Sequence, residues 1–173
     1  MTAYVTSATS LLGTSLTGAL RWEGHTLSKS APDADTVFDT SHGIVYRRDR
    51  PLARFVYGEL LGPGDVHGTV IGDWLQTYVR TGHMPEAPGG ACVTDARDVA
   101  LAMITAAERG LSGEFEVVGP FVTFEELAEM LRGGAQARTG VALPELRLSF
   151  RPVEETIADV LAWQRSDSNA LVL

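Results

Sequence analysis

Residues 3–13, AYVTSATSLLG, decide how this sequence folds. The stretch opens with a short β-favouring run, passes through a turn of small residues and ends at Gly13, inside an apolar pattern of helical spacing. That pattern continues to Leu20, and Gly24 supplies a stop signal. A strand that leads through a tight turn into an amphipathic helix is the opening unit of an α/β layer fold.

The rest of the chain alternates in the same way. A second strand is expected at 25–27, and a polar loop that contains Pro32 follows it. Asp98 is a good N-cap for one helix, and Thr123 with Glu126 forms a capping box for the next. Further strands are predicted at 36–38, 44–46, 53–57, 91–93, 114–118 and 146–150, and further helices at 74–79 and from Pro152 onward.

Composition excludes several classes of protein. The chain has 173 residues, 45% of them apolar, which is enough for a buried core. The net charge of −8 argues against nucleic acid as the main partner. No apolar run is long enough to span a membrane, and the N-terminus has no leader-like pattern. A single cysteine, Cys92, fits the reducing cytoplasm, and the four histidines have no zinc-site spacing, so we expect no metal.

Four segments in order carry a resemblance to a known family. Residues 5–13 are similar to its strand and phosphate loop, and 56–65 contain VYG and GPGD, like its VYGPGD turn. VTDARDVA at 93–100 and GEFEVVG at 113–119, with TFEEL at 123–127, match two later segments. The chain therefore resembles the extended short-chain dehydrogenase/reductases, or NAD-dependent epimerase/dehydratases, as a shortened and divergent member.

The resemblance implies a fold. We expect an α/β chain with a reduced Rossmann-like parallel sheet, flanking helices and a small C-terminal α/β segment on the substrate side. We expect one domain over 1–173, with the Rossmann-like core at 1–60 and the remaining core and substrate-side segment at 61–173.

The resemblance also defines what has been lost at the cofactor loop. Family members carry three glycines there, which allow the tight turn and the close approach of a pyrophosphate. Ser7 and Ser10 occupy the first two of those positions, and only Gly13 remains. The segment after the second strand, 27–30, lacks the acidic residue that binds the adenosine ribose. Because of these losses, we expect that the chain binds no cofactor. The alternative is that NADP binds at Ser7, Ser10 and Gly13.

The hydride-transfer residues are missing as well. Family members carry a catalytic serine strand and a Tyr-x-x-x-Lys helix in the part that this chain lacks, between Asp35 and Arg54. Tyr46 and Arg50 have a similar spacing, but Pro51 follows at once and disfavours a helix. Without a tyrosine whose pKa is lowered by a lysine, hydride transfer has no proton partner.

Polar residues still collect where an α/β sheet binds ligands, outside the carboxyl ends of its strands. A histidine beside a carboxylate can move protons near neutral pH. The same residues also suit turns and solvated loops, which is the alternative interpretation. The candidates are Asp39, Ser41, His42 and Tyr46 for catalysis, and Tyr57, Asp65, His67 and Asp95 for substrate binding.

Arg47, Arg48, Arg50 and Arg54 form a basic cluster in an acidic chain. It either binds a carboxylate, a phosphate or a carrier protein, or is a solvated loop at the deletion. The missing helices would leave one face of the sheet exposed, so we also predict a homodimer that covers it.

The leading functional hypothesis is an enzyme that performs a non-redox acid/base reaction, such as isomerisation, dehydration or cyclisation, on a small organic substrate, for example a secondary metabolite. One alternative is an NADP-dependent reductase or epimerase with an unusual loop. The other is a non-catalytic binding or partner subunit.

Overall fold

The structure is a computed structural model that describes residues 1–65, 69–84, 88–134 and 138–170, with side chains to residue 166. The strands are β1 Thr2–Val5, β2 Thr26–Leu27, β3 Thr36–Asp39, β4 Ile44–Arg47, β5 Arg50–Tyr57, β6 Glu59–Leu61, β7 Gly90–Asp95, β8 Gly113–Val117 and β9 Phe121–Thr123. The helices are α1 Leu11–Trp22, α2 Val70–Thr81, α3 Ala96–Arg109, α4 Phe124–Leu131 and α5 Val153–Ala170, with a 3₁₀ turn at Pro144–Leu146.

The chain groups into two compact units, whereas the sequence predicts one domain with a single division near residue 60. Unit one contains 1–57, 96–117 and 142–149, and unit two contains the described residues of 58–95, 118–141 and 150–170. The chain leaves unit one after Tyr57, close to the predicted division, but returns to it at Ala96.

Unit one is built on a six-stranded sheet with the order β2-β1-β3-β4-β5-β8. β1, β2, β3, β5 and β8 run parallel, as predicted, and β4 is antiparallel to both of its neighbours. The hairpin β3–β4 places Asp39 opposite Ile44 and Thr36 opposite Arg47. The arginine-rich segment is a two-residue turn and the start of a strand, and Pro51 is accommodated in β5.

α1 and α3 pack against each other and cover one face of this sheet. Leu16, Leu20, Val99 and Met103 are fully buried between them and the strands. Ser10 begins α1, because its Oγ accepts a hydrogen bond from the Gly13 amide at 3.1 Å. The strand–turn–helix reading of residues 3–13 is confirmed.

The opposite face of the unit-one sheet is partly exposed. Tyr4, Val37, Ile44 and Tyr46 lie on it with intermediate burial, and Val56 is 38% exposed. These are the side chains that a second copy would cover in the predicted homodimer, which stays a prediction.

Unit two has a three-stranded sheet, β6-β7-β9, in which β6 and β7 are parallel and β9 is antiparallel to β7. α2, α4 and α5 enclose its core, to which Leu61, Leu75, Val93 and Ile157 contribute. The capping box of α4 is confirmed, since the Thr123 Oγ1 accepts from the Glu126 amide and the Glu126 carboxylate accepts in return.

Two details of the sequence interpretation are wrong. α3 begins at Ala96, so Asp98 lies inside its first turn and is buried instead of capping the helix. Residues 146–150 do not form a regular strand: a 3₁₀ turn ends at Leu146, and a single bridge joins Leu143 to Leu148. In the described part of the chain, no helix is both long and apolar enough to cross a membrane.

Candidate functional site

The carboxyl ends of three parallel strands define the candidate site in unit one. β1 ends at Val5, β3 at Asp39 and β5 at Tyr57. Because these strands run in the same direction, the residues that follow them meet at one edge of the sheet. The turn at 40–43 joins β3 to β4 at this edge and brings further polar side chains to it.

Asp39 and His42 form a hydrogen-bonded pair at this edge. The His42 Nδ1 lies 2.9 Å from the Asp39 Oδ2. The other carboxylate oxygen, Oδ1, accepts from the backbone amides of Ser41 at 3.1 Å and of His42 at 3.3 Å. The His42 side chain is 72% exposed and that of Asp39 only 20%. The carboxylate is therefore fixed, while the far side of the imidazole faces solvent.

Thr6 and Thr40 hold the turn that carries this pair. The Thr40 amide donates to the Thr6 Oγ1 at 3.1 Å, and the Thr40 Oγ1 donates to the Thr6 carbonyl at 2.8 Å. Gly43 has a φ of +64°. A Cβ at this position would stand 2.5 Å from the Phe55 carbonyl oxygen, so only glycine fits. The turn is thus tied to both β1 and β5.

Tyr57 contributes a neutral phenol at the same edge. Its hydroxyl donates to the Thr40 carbonyl at 3.3 Å. Burial raises the pKa of Tyr57, and the nearby Asp39 carboxylate raises it further. Lys29 is the only lysine of the chain. Tyr57 therefore stays protonated at neutral pH and suits hydrogen-bond donation, unlike a tyrosine whose pKa a lysine has lowered.

Asp39 is ionised at neutral pH. Burial raises its pKa, but the hydrogen bond from His42 and those from the Ser41 and His42 amides, together with the His42 charge, outweigh burial and lower the pKa below its ordinary value of 3.8. An ionised carboxylate can only accept, so the Nδ1 of His42 carries the proton of their shared hydrogen bond. When the imidazole holds only that proton, its Nε2 is free to accept another from a bound molecule.

The lowered pKa predicts that Asp39 stabilises the folded chain in a pH-dependent way. A group whose pKa is depressed by folding contributes stability above its unfolded pKa and loses it as the pH falls through the folded value. The Asp39→Asn substitution should therefore lower the melting temperature at pH 7 and have less effect as the pH falls below about 4. Thermal unfolding at both pH values measures this, and an equal loss at both would contradict the assignment.

The turn after β1 has part of the backbone geometry that a phosphate loop requires. Ser7 has a φ of +45°, the left-handed conformation that glycine usually supplies. A Cβ at Gly13 would stand 2.2 Å from the Ser7 carbonyl oxygen, so this glycine is needed for the close approach of helix and turn. The Gly13 amide donates its hydrogen bond to the Ser10 Oγ and is therefore not available to bind a phosphate in this conformation. The Ser7 Oγ lies 3.5 Å from that of Ser41.

The residues directly after β2, 28–30, include no carboxylate for an adenosine ribose. The Ser28 Oγ donates to the Ser30 carbonyl at 2.8 Å, and the Ser30 Oγ donates to Asp33 at 2.5 Å. Lys29 stands between them in the sequence. The residues present thus fit a nicotinamide dinucleotide in part: the turn and Gly13 are suitable, and the ribose site is not that of an NAD-specific chain.

The remaining predicted site residues lie on other elements. Tyr46 pairs with Val37, two residues further along β4 from the edge, and stands on the open sheet face. Asp65 and Asp95 belong to unit two and are buried, at 8% and 4% exposure. Each accepts a hydrogen bond of 2.8 Å from a threonine, Thr69 and Thr156 respectively, and their role in substrate binding stays a prediction. His67 lies outside the described residues.

The sequence interpretation missed Thr6 and Thr40. Each follows directly after a strand, Thr6 after β1 and Thr40 after β3. Two threonines at the ends of neighbouring parallel strands are a signal that could have been used, because such residues meet across the sheet edge. Among the described residues, no three His, Cys, Asp or Glu side chains are grouped as metal ligands would be.

Comparison with solved structures identifies the fold. A nucleoside-diphosphate-sugar epimerase from Pseudomonas aeruginosa superposes with a TM-score of 0.67 at 14% identity, over 96% of this chain and 98% of that one. The Bordetella bronchiseptica enzyme WbmF, in complex with NADH, gives 0.74 at 11% identity, over 98% and 93%. RMD from Pseudomonas aeruginosa, complexed with NADPH, gives 0.67 at 13% identity, over 95% and 99%.

No protein-family model and no curated protein sequence matches the chain. The structural likeness nevertheless confirms the expected fold class, a Rossmann-like α/β architecture. Several similar structures hold NAD, NADH or NADPH, so the expectation of no cofactor gains no support from them.

Proposed function

We propose that this chain is an enzyme that moves a proton on a small carbonyl-containing substrate, without net oxidation or reduction. The observation that carries the proposal is the 2.9 Å hydrogen bond between Asp39 and His42, with its carboxylate fixed and its imidazole exposed at the carboxyl edge of the sheet. A base oriented by a carboxylate is the usual arrangement for general acid/base catalysis.

Each group has a role in the proposed reaction. Neutral His42 accepts a proton at Nε2 from the carbon next to a carbonyl, which leaves an imidazolium and an enolate. Asp39 holds the ring and stabilises its positive charge. The hydroxyls of Ser7 and Ser41 can donate hydrogen bonds to the enolate oxygen, and that of Tyr57 can do so once it turns away from the Thr40 carbonyl. Return of the proton from Nε2 to a carbon conjugated with the enolate, or to the other face of the α-carbon after the substrate turns over, completes an isomerisation.

Exchange of substrate hydrogen with solvent tests the proposal directly. The chain is incubated in D₂O with nucleoside-diphosphate keto sugars, chosen because one similar structure is a nucleoside-diphosphate-sugar epimerase, and with simple diketones. Loss of the C–H proton signal adjacent to the carbonyl is then followed by NMR. Exchange without added nicotinamide supports the proposal. A chain that exchanges no probe, yet co-purifies with a related enzyme, would support the partner-subunit alternative instead.

A second candidate is an NADP-dependent reductase or epimerase. The left-handed Ser7 and the close approach of Gly13 favour it, because they keep the turn that approaches a pyrophosphate. Lys29 is the cation that would contact a 2′-phosphate, and a bound nicotinamide would supply hydride transfer.

Titration distinguishes this candidate from the first. NADPH should raise the melting temperature more than NADH does, and Lys29→Gln should abolish that difference while leaving the effect of NADH unchanged. No shift with either nucleotide at millimolar concentration would reject the candidate.

A further inference from the structure

The amino edge of the unit-one sheet carries a second group of charged residues, which the proposed reaction does not use. Thr36, the first residue of β3, pairs there with Arg47, the last residue of β4. This edge is opposite the one that holds Asp39. A cavity of about 470 Å³ opens beside it and is lined by Met1, His25, Asp35, Thr36, Arg47, Arg48, Ala107 and Glu108.

Two arginines and two carboxylates line this cavity, and they differ in whether they already have partners. The His25 Nε2 lies 2.9 Å from the Glu108 Oε1, so one of the two carboxylates already has a partner. The other carboxylate, of Asp35, accepts from the Thr2 amide at 3.3 Å. No ion pair among the described residues involves Arg47 or Arg48. The two guanidinium groups are therefore not held by a carboxylate in the described part of the chain, and their N–H donors are available to an anion.

The turn between β4 and β5 fixes the position of these arginines. Arg48 and Asp49 have φ values of 48° and 63°, so both central residues of the turn are left-handed. Such turns usually contain asparagine and glycine. The Arg48 amide also hydrogen-bonds to the Asp35 carbonyl at 3.4 Å. Left-handed residues other than glycine are often found where a side chain serves a ligand.

A second depression converges on the same two side chains. It has a volume of about 810 Å³ and is lined by Arg47, Arg48, Arg50, Pro51 and Leu52. Arg47 and Arg48 thus stand between two concave surfaces and can turn toward either. A guanidinium presents parallel N–H donors that match the oxygens of a carboxylate or a phosphate.

We propose that this amino-edge cavity is a binding site for a small polyanion that carries phosphate or carboxylate groups, held by Arg47 and Arg48. The cavity has the size of a small-molecule site. His25, whose side chain is only 11% exposed, forms part of its wall through the pair with Glu108. Because the site lies at the edge opposite Asp39 and His42, it does not depend on the proposed reaction.

Calorimetric titration with pyrophosphate and, separately, with citrate tests the site and distinguishes the two anion chemistries. Arg47→Gln and Arg48→Gln should each weaken binding about tenfold or more. Arg54→Gln is the matched control, since Arg54 lies in the same hairpin, outside both depressions, and pairs with Glu114 at 3.5 Å. It removes the same charge and should leave binding unchanged.

The proposal would be overturned if neither pyrophosphate nor citrate bound. It would also be overturned if Arg54→Gln weakened binding as much as Arg47→Gln and Arg48→Gln do, because that result would show only general charge attraction. Arg48→Lys keeps the charge but not the planar fork, so it should lose part of the affinity. That variant carries the test if a glutamine variant fails to fold, as judged by circular dichroism. His42→Ala should bind the anion normally, which separates this site from the proposed reaction.

Discussion

Replacing His42 by alanine should slow deuterium exchange into a responsive substrate by about 10²- to 10⁴-fold, the usual contribution of a positioned general base. The imidazole is the group at the carboxyl edge whose reactive nitrogen is both exposed and oriented. Its Nδ1 is held by Asp39 at 2.9 Å, which directs Nε2 outward. The substitution removes this acceptor without touching the Thr6 and Thr40 hydrogen bonds that hold the turn.

His83→Ala is the matched control. His83 is an exposed histidine of unit two whose Nδ1 lies 2.8 Å from the Thr81 carbonyl oxygen, and it plays no part in the site. Exchange should continue at the normal rate in this variant. Asp39→Asn should slow exchange while keeping the fold at pH 7, because the ring loses its orienting charge. Unchanged exchange in His42→Ala would remove His42 from the mechanism.

The sequence predicted the class of fold well because several independent patterns agreed. Residues 3–13, the capping box at Thr123 and the run at 93–100 each depend on local physics that survives the losses elsewhere. The antiparallel direction of β4 could not be predicted. A run such as IVYR at 44–47 has the same β-favouring side chains in either direction, and only the short turn at 40–43 decides.

The division into two units could also not be predicted from the sequence. The chain passes from one unit to the other after Tyr57 and again after Asp95, without any change of composition that would mark a linker. A boundary of this kind is set by which strands pair, and pairing depends on residues far apart in the chain.

The sequence predicted those parts of the candidate site whose residues are close together in the chain. Asp39 and His42 are three residues apart in one turn, so their pairing could be expected. Thr6 contacts Thr40 only because β1 and β3 are parallel neighbours. Tyr46 was grouped with His42 on sequence proximity, but β4 carries it two residues away from the edge. Asp65 and Asp95 are buried acceptors, a state that sequence alone does not reveal.

Gly13→Ala should destabilise unit one by about 3 kcal/mol, near the upper end for an overpacked core position. A Cβ at residue 13 would lie 2.2 Å from the Ser7 carbonyl oxygen and 2.9 Å from the Ala8 Cα. Both are backbone atoms, so no side-chain rotation can relieve the clash. The turn would have to separate from α1, and the Ser10 cap at 3.1 Å would be lost with it.

Gly18→Ala provides the matched comparison in the same helix, because a Cβ there meets no atom within 4 Å. The exposed Gly18 should gain about 0.5–1 kcal/mol from alanine, since glycine disfavours a helix interior. One substitution thus raises and the other lowers the thermal midpoint measured by circular dichroism. If both lowered it alike, the loss would reflect α1 in general. Opposite signs would show that the turn after β1 is a rigid part of the fold, already formed without any ligand.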